Sequence, residues 1–181
     1  YDLKGPIIED DEDESSIVAK DNLLTAAEDF LVYLEEAETN RVVYKAIELK
    51  NGYKLLLNKQ IVWADIEGKA YKIGPDLSSL SEEGTFVWGG ELKGGADPAG
   101  SDEHWKTAKS AFDRILDAAS ATGRPKPKLS FIATILVDRV AHEAALWIKQ
   151  GKLSSVYNLT QVTESKDKQE QFLSDLAKFL G

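Results

Sequence analysis

The sequence predicts an α/β domain built on a central mixed sheet covered by helices on both faces. Three observations carry that expectation. Apolar residues recur at helical spacing over residues 101–122, 138–150 and 166–180; two apolar runs of strand length, residues 129–137 and 153–162, lie between them; and residues 68–90 hold short β-rich runs broken by Gly and Pro. The resulting order of helix, strands, helix, strand and helix is that of a layered α/β domain.

Taken in order, residues 21–38 read as an amphipathic helix, with Leu23, Leu24, Ala27, Phe30, Leu31 and Leu34 on one face. Residues 40–50 are open to two readings. Val43 and Ile47 suit a helix ending near Gly52, while Asn51-Gly52 between apolar runs is a hairpin signal; the helix is favoured. Strand texture then follows through Tyr71 and Ile73, the Gly74-Pro75 turn, and Thr85-Phe86-Val87-Trp88 running into Glu91-Leu92-Lys93. Over residues 101–122 Ser101 is expected as N-cap, Asp102 and Glu103 suit the positive end of the helix dipole, and Gly123 suits the C-terminal turn. Trp105, Ala108, Phe112, Ile115 and Ala119 define its buried face. Residues 129–137 are expected as a buried strand, 138–150 as a helix, 153–162 as a strand and 166–180 as a last helix.

The length of 181 residues suits one domain, with no internal repeat and no Gly/Ser linker to divide it. Residues 9–14 are six consecutive acids, so residues 1–20 are expected as an acidic loop or disordered segment and residues 21–181 as the domain proper. A formal net charge of -9 points away from a nucleic-acid partner, but much of it sits in that run, and a local basic cleft remains compatible with it. Cysteine is absent, which excludes disulfides, thiolate zinc sites and cysteine nucleophiles, so any metal must take oxygen or histidine ligands. Methionine is absent even from position 1, and the chain reads as a fragment, a processed product or one with residues missing. No apolar run approaches the ~18 residues of a membrane span, and no basic region followed by an apolar stretch suggests a secretory signal.

Chemistry is suggested by an acid-any-Lys tripeptide. The pattern occurs five times, at Asp2, Glu48, Glu67, Glu91 and Glu164, so context must choose among them. Only Glu91-Leu92-Lys93 follows a strand-like run and lies downstream of Pro75-Asp76, the sole Pro-Asp pair, at strand-turn-strand distance. Positions i and i+2 of a strand share a face, so Glu91 and Lys93 point into one cleft while Leu92 packs behind them. Asp76, entering the neighbouring strand, can approach Glu91 across the sheet. Two carboxylates offer hard oxygen ligands to Mg²⁺, and a lysine beside them can orient a water for attack on a phosphate. The competing reading is a strand-edge ion pair.

Residues 91–108, Glu91-Leu92-Lys93-Gly94-Gly95-Ala96-Asp97-Pro98-Ala99-Gly100-Ser101-Asp102-Glu103-His104-Trp105-Lys106-Thr107-Ala108, resemble the active-site segment of type II restriction endonucleases of the AvaI/BsoBI group and their XcyI-like relatives, within the PD-(D/E)xK superfamily. The resemblance implies a restriction-endonuclease-like core and a prokaryotic, cytoplasmic enzyme. Its substrate would be double-stranded DNA, cut with Mg²⁺ at a GC-rich six-base palindrome of the CYCGRG or CCCGGG kind by a homodimer, without a membrane partner. It further implies that Asp76 and Glu91, with the backbone carbonyl of Leu92, hold the metal, that Lys93 and His104 serve the chemistry, and that Asp97 and Lys106 contact DNA, Asp97 by reading a base edge. Asp65 is a possible substitute for Asp76 as the upstream acid.

Read without the resemblance, Asp97-Pro98 starts a turn, His104 is a surface or capping residue, and residues 124–128 form a basic loop with a phosphate contact as the alternative. His142 reads as helix surface, and Trp63 and Trp88 as core. Two other functions stay open on the residues: a nuclease of the same core without sequence reading, acting in repair or recombination, and an acidic interaction protein using residues 9–14.

Overall fold

The computed structural model of the chain describes residues 31–39, 42–49, 54–57, 60–81, 83–95 and 97–180. The strands are β1 (Leu31–Thr39), β2 (Val42–Leu49), β3 (Lys54–Leu57), β4 (Ile61–Ala64), β5 (Ala70–Ile73), β6 (Leu77–Leu80), β7 (Phe86–Lys93), β8 (Lys128–Ala133) and β9 (Ser155–Asn158). The helices are α1 (Ser101–Thr122), α2 (Asp138–Lys149), α3 (Leu159–Glu164) and α4 (Lys166–Leu180). One sheet runs β1-β2-β3-β6-β7-β8-β9, and β4 and β5 pair apart from it as a hairpin.

β7 is the strand at which the sheet changes character. It is antiparallel to β6 and parallel to β8, which is parallel in turn to β9. The β7-α1-β8 and β8-α2-β9 crossovers step in one direction, and two right-handed crossovers of that kind lay their helices on one face. Trp105 of α1 accordingly meets Trp147 of α2 at 5.6 Å and Phe131 of β8 at 5.1 Å between ring centroids. The opposite face is covered by α4, whose Phe172 packs edge-on against Tyr157 of β9 at 5.0 Å. The mixed sheet between helical layers is thus present as expected, and a core cluster joins α1, β8 and α2 to Trp63 and Ile73 of the hairpin.

Register assigns the two faces of β7. Glu91 is level with Phe131 and Lys93 with Ala133, so both share the α1 face, whereas Leu92, level with Ile132, points to the α4 face and is buried there. Val87 is an extra residue in the β6-β7 ladder, where Ser79 pairs with Trp88 and Leu80 with Phe86. Such a bulge reverses the alternation. Phe86 therefore joins the α1-side core beside Trp63, with ring centroids 6.0 Å apart. Trp88 lies on the other face, where its Nε1 donates to Ser130 Oγ at 2.9 Å and Ser130 Oγ lies 2.7 Å from Ser155 Oγ.

Several expectations need correction. The helix over residues 21–38 fails where it can be tested: Leu31–Thr39 is a strand, and residues 21–30 lie outside the described residues, as does the acidic segment 1–20. Residues 40–50, favoured as helix, supply strand β2, antiparallel to both β1 and β3. Val42, Val43, Tyr44 and Ile47 carry the β preference of branched and aromatic side chains, and only two residues separate Thr39 from its partner Val42, a hairpin spacing. Asn51-Gly52 lies outside the described residues, but the strands flanking it pair antiparallel, as the hairpin alternative requires. The strand expected over residues 129–137 leaves the sheet after Ala133, where Thr134 N–H donates to Lys93 O at 2.9 Å. The strand expected over 153–162 ends at Asn158, whose side chain accepts from Gln161 N at 3.0 Å and starts α3. An Asn followed three residues later by Gln is a helix-start signal that a run of apolar residues obscured. Ser101 is the first buried residue of α1 rather than its cap, Gly100 holding the cap position. The lengths of α1 and α4 match expectation, and Gly123 ends α1 at φ 65°.

Ser130→Ala is expected to leave the buried Trp88 indole N–H without an acceptor and to cost about 1–3 kcal/mol of stability. Equilibrium denaturant unfolding measures this, and a loss below about 0.5 kcal/mol, the usual range for neutral surface changes, would contradict it.

Candidate active site

Asp76 follows the buried Pro75 at the entry to β6, one residue before the Leu77–Gly90 pair of the β6-β7 ladder, which sets it across from Glu91. Its Oδ2 accepts a hydrogen bond of 2.7 Å from Leu92 N–H, pinning the carboxylate to the strand that carries the other two groups. Lys93 Nζ lies 3.5 Å from Glu91 Oε2 and 3.9 Å from Asp76 Oδ2. Two acids and one amine thus meet at the C-terminal end of β7, where the parallel and antiparallel halves of the sheet join.

Of the three, Glu91 is the most enclosed, at 4% exposed. Burial first and the Asp76 carboxylate second push its pKa up to about 8, against the opposing pull of Lys93. At Glu91 burial and the second carboxylate outweigh the pull of Lys93. That imbalance is the fit test for a cation: hard oxygen donors, held together against their repulsion, suit a divalent ion such as Mg²⁺. Asp76 and Glu91 could hold it. Among the described residues no third His, Asp or Glu joins them, so its other ligands would come from backbone carbonyl, solvent or substrate.

The structure brings some of the remaining candidates to this place and not others. His104, half-buried in the first turn of α1, packs its ring on the backbone of Gly95, two residues past Lys93. Asp97 is exposed, and its Oδ1 accepts from Ala99 N at 2.9 Å, capping the 3-10 turn Pro98–Gly100 that leads into α1, so the turn-starter role is real. Lys106 is exposed and pairs at 3.4 Å with Glu103, one turn away on the same helix. Asp65 does not stand beside Glu91: its Oδ1 accepts from Glu67 N and Lys69 N, both at 2.9 Å, within the β4-β5 turn. In residues 124–128, Arg124 stacks over the Trp63 ring at 5.6 Å and Lys126 donates to Gly151 O, which gives that basic loop a structural role. His142 is exposed on α2, and Trp63 and Trp88 are core.

Sequence reasoning missed what fixes α1 beside the site. Glu143 of α2 accepts from Trp105 Nε1 at 2.8 Å and from Lys109 Nζ at 3.0 Å, and Arg139 pairs with Asp102 at 2.6 Å. These partners are 34 to 38 residues apart, beyond the reach of any local signal. The two donors hold the Glu143 carboxyl below its ordinary pKa.

Glu91 also imposes a pH dependence on stability. Its folded pKa lies above the unfolded value of 4.5, so the stability it contributes is full below pH 4.5 and is lost as pH rises through about 8. Glu91→Gln should abolish that dependence and exceed the parent in stability above pH 8, by on the order of a few kcal/mol in metal-free buffer. Thermal unfolding of both proteins from pH 5 to 9 checks this, and parallel curves would contradict it.

Comparison with known proteins assigns the chain to a family. The restriction endonuclease BsobI family matches residues 58–173, most of the chain and all of the site. The chain is 44% identical over 75 residues to the type II restriction enzyme BsoBI of Geobacillus stearothermophilus, a match covering 41% of this chain and 23% of that protein. It is 42% identical over 82 residues to the type II restriction enzyme AvaI of a Nostoc species, covering 45% and 26%. An AvaI from Anabaena variabilis matches equally. The chain therefore spans about a quarter of the length of these curated relatives. With its family match running from before the β4-β5 hairpin into α4, and with the acids and lysine of β6 and β7 inside it, this chain belongs to the BsobI restriction endonuclease family.

Proposed function

We propose that residues 21–181 carry the PD-(D/E)xK catalytic core of a type II restriction endonuclease that hydrolyses double-stranded DNA. The observation that carries this reading is the convergence of Asp76, Glu91 and Lys93 at the end of β7, in a chain whose relatives are named type II restriction enzymes. Asp76 and Glu91, with the Leu92 carbonyl, hold Mg²⁺, which when bound offsets the charge developing on the scissile phosphate. Lys93 orients the attacking water through its ammonium group. His104 takes the proton that the water gives up, or steadies a phosphate oxygen. Attack in line with the leaving 3′ oxygen breaks the P–O3′ bond, and the departing oxygen takes a proton from solvent, giving 5′-phosphate and 3′-hydroxyl ends.

Sequence reading belongs to the turn after β7. The Asp97 carboxylate keeps one oxygen on Ala99 N–H and offers the other to a cytosine N4 in the major groove. Lys106 meets a phosphate, since an exposed pair such as Lys106–Glu103 is worth little and yields to a stronger partner. The target is a GC-rich six-base palindrome of the CYCGRG or CCCGGG kind. A palindrome presents the same half-site twice about a two-fold axis, so the enzyme acts as a two-fold homodimer, in the cytoplasm of a prokaryotic cell. Among the described residues no helix is long and apolar enough to cross a membrane.

Plasmid digestion tests the whole reading. Discrete fragments that vanish on chelation of divalent metal are expected, with Glu91→Ala and Lys93→Ala reducing cleavage by orders of magnitude at an unchanged fold. A smear would argue for a nuclease that does not read sequence, and cleavage by either variant near the parent rate would remove these residues from the chemistry.

Asp97→Asn separates reading from capping, because an amide oxygen can still accept from Ala99 N while the added NH₂ opposes the cytosine N4 donor. Thermal stability should hold, and the ratio of cognate to single-mismatch cleavage should fall about 5- to 150-fold, the equivalent of about 1–3 kcal/mol. A preserved ratio would take Asp97 off the recognition surface.

A further inference from the structure

The imidazole of His104 rests in a cradle made by two glycines. A methyl group placed on the Gly95 Cα would overlap His104 Cε1 and stand 3.2 Å from Nε2 and 3.4 Å from Nδ1. At Gly100 it would meet the same Cε1 and Nε2 at 3.6 and 3.8 Å, ordinary contact distances. Gly95 is not among the glycines with positive φ, so its backbone would accept any residue and only the ring forbids a side chain. The cradle is also tied down locally, since Gly100 N–H donates to Asp97 O at 3.0 Å and Asp97 Oδ1 accepts from Ala99 N.

We propose that Gly95 is a positioning residue for His104: by lacking a side chain it lets the imidazole close onto the end of β7, two residues beyond Lys93, and holds it in one place relative to Glu91 and Lys93. The inference rests on the reading of His104 as a group that serves the reaction. A side chain at Gly95 forces the ring off this seat. The overlapping atom is the tip of a half-buried side chain, so the ring is the part that yields.

The chain has two histidines, and His142, exposed on the outer side of α2, supplies an internal reference for proton–carbon NMR of the histidine Cε1–H groups. In Gly95→Ala the His104 resonance is expected to move and that of His142 to stay, with the melting temperature lowered by about 2–8 °C and kcat falling more than KM changes. In a His104→Ala background the same Gly95→Ala change should leave the melting temperature unaltered, because the methyl then enters vacated space. An unmoved His104 resonance, or an equal loss of melting temperature with and without the ring, overturns the cradle. Should Gly95→Ala alone fail to fold, folding of the double variant supports the proposal and its failure overturns it. Cleavage by His104→Ala at the parent rate is a different result: it removes His104 from the reaction, and with it any service by Gly95, whatever the NMR shows.

Discussion

Everything at the end of β7 depends on one electrostatic constraint, the burial of the Glu91 carboxyl against a second acid, with Lys93 beside both. Burial and the Asp76 carboxylate raise the proton affinity of Glu91, and the Lys93 ammonium 3.5 Å away does not cancel that effect. A strand built only for stability would carry an apolar pair here. What the arrangement provides instead is a fixed, poorly solvated nest of oxygen donors beside an amine, a place suited to a divalent cation and a phosphate and costly without them.

The surrounding architecture is organised to hold that place rigid. β7 pairs with β6 as far as Gly90, and beyond it Glu91 and Lys93 are held by β8 on one side while the Asp76 carboxylate takes Leu92 N–H on the other. The bulge at Val87 turns Phe86 and Trp88 to opposite faces, letting one strand anchor the cores on both sides of the sheet before it reaches the site. Asp76 is fixed to β7 through Leu92 N–H, so the two acids move as one unit. On the α1 face, Glu143 grips the Trp105 indole and Lys109, and so sets the helix on which His104 and Lys106 ride. Residues 91–104 are short in sequence and closed in space, with the chain leaving at Lys93 and returning to lay His104 on Gly95.

Elements defined by their own periodicity were legible in the chain. α1 and α4 have the predicted limits, since a helix closes its hydrogen bonds within itself and its buried stripe repeats locally. Strands in the first half were misread because a strand's hydrogen bonds go to a partner, and the partner of Leu31–Thr39 lies in a segment that helical spacing also fits. Asn158 and Ser101 were misplaced for a smaller reason, as a cap is chosen by backbone geometry among several residues able to serve.

The sequence by itself determined which groups could do chemistry. An acid and a lysine two apart at the end of a strand must share a face, and the only Pro-Asp pair stood at the right distance upstream, so Asp76, Glu91 and Lys93 could be named before any fold was known. Only the tertiary structure shows which aspartate stands beside Glu91, because strand register sets Asp76 across from it while backbone amides of a separate hairpin bind Asp65. It also decided how much Glu91 is buried, what holds α1 in place, and that the His104 ring fills the space left by Gly95. Those are properties of surfaces brought together from distant parts of the chain, and no local pattern of residues encodes them.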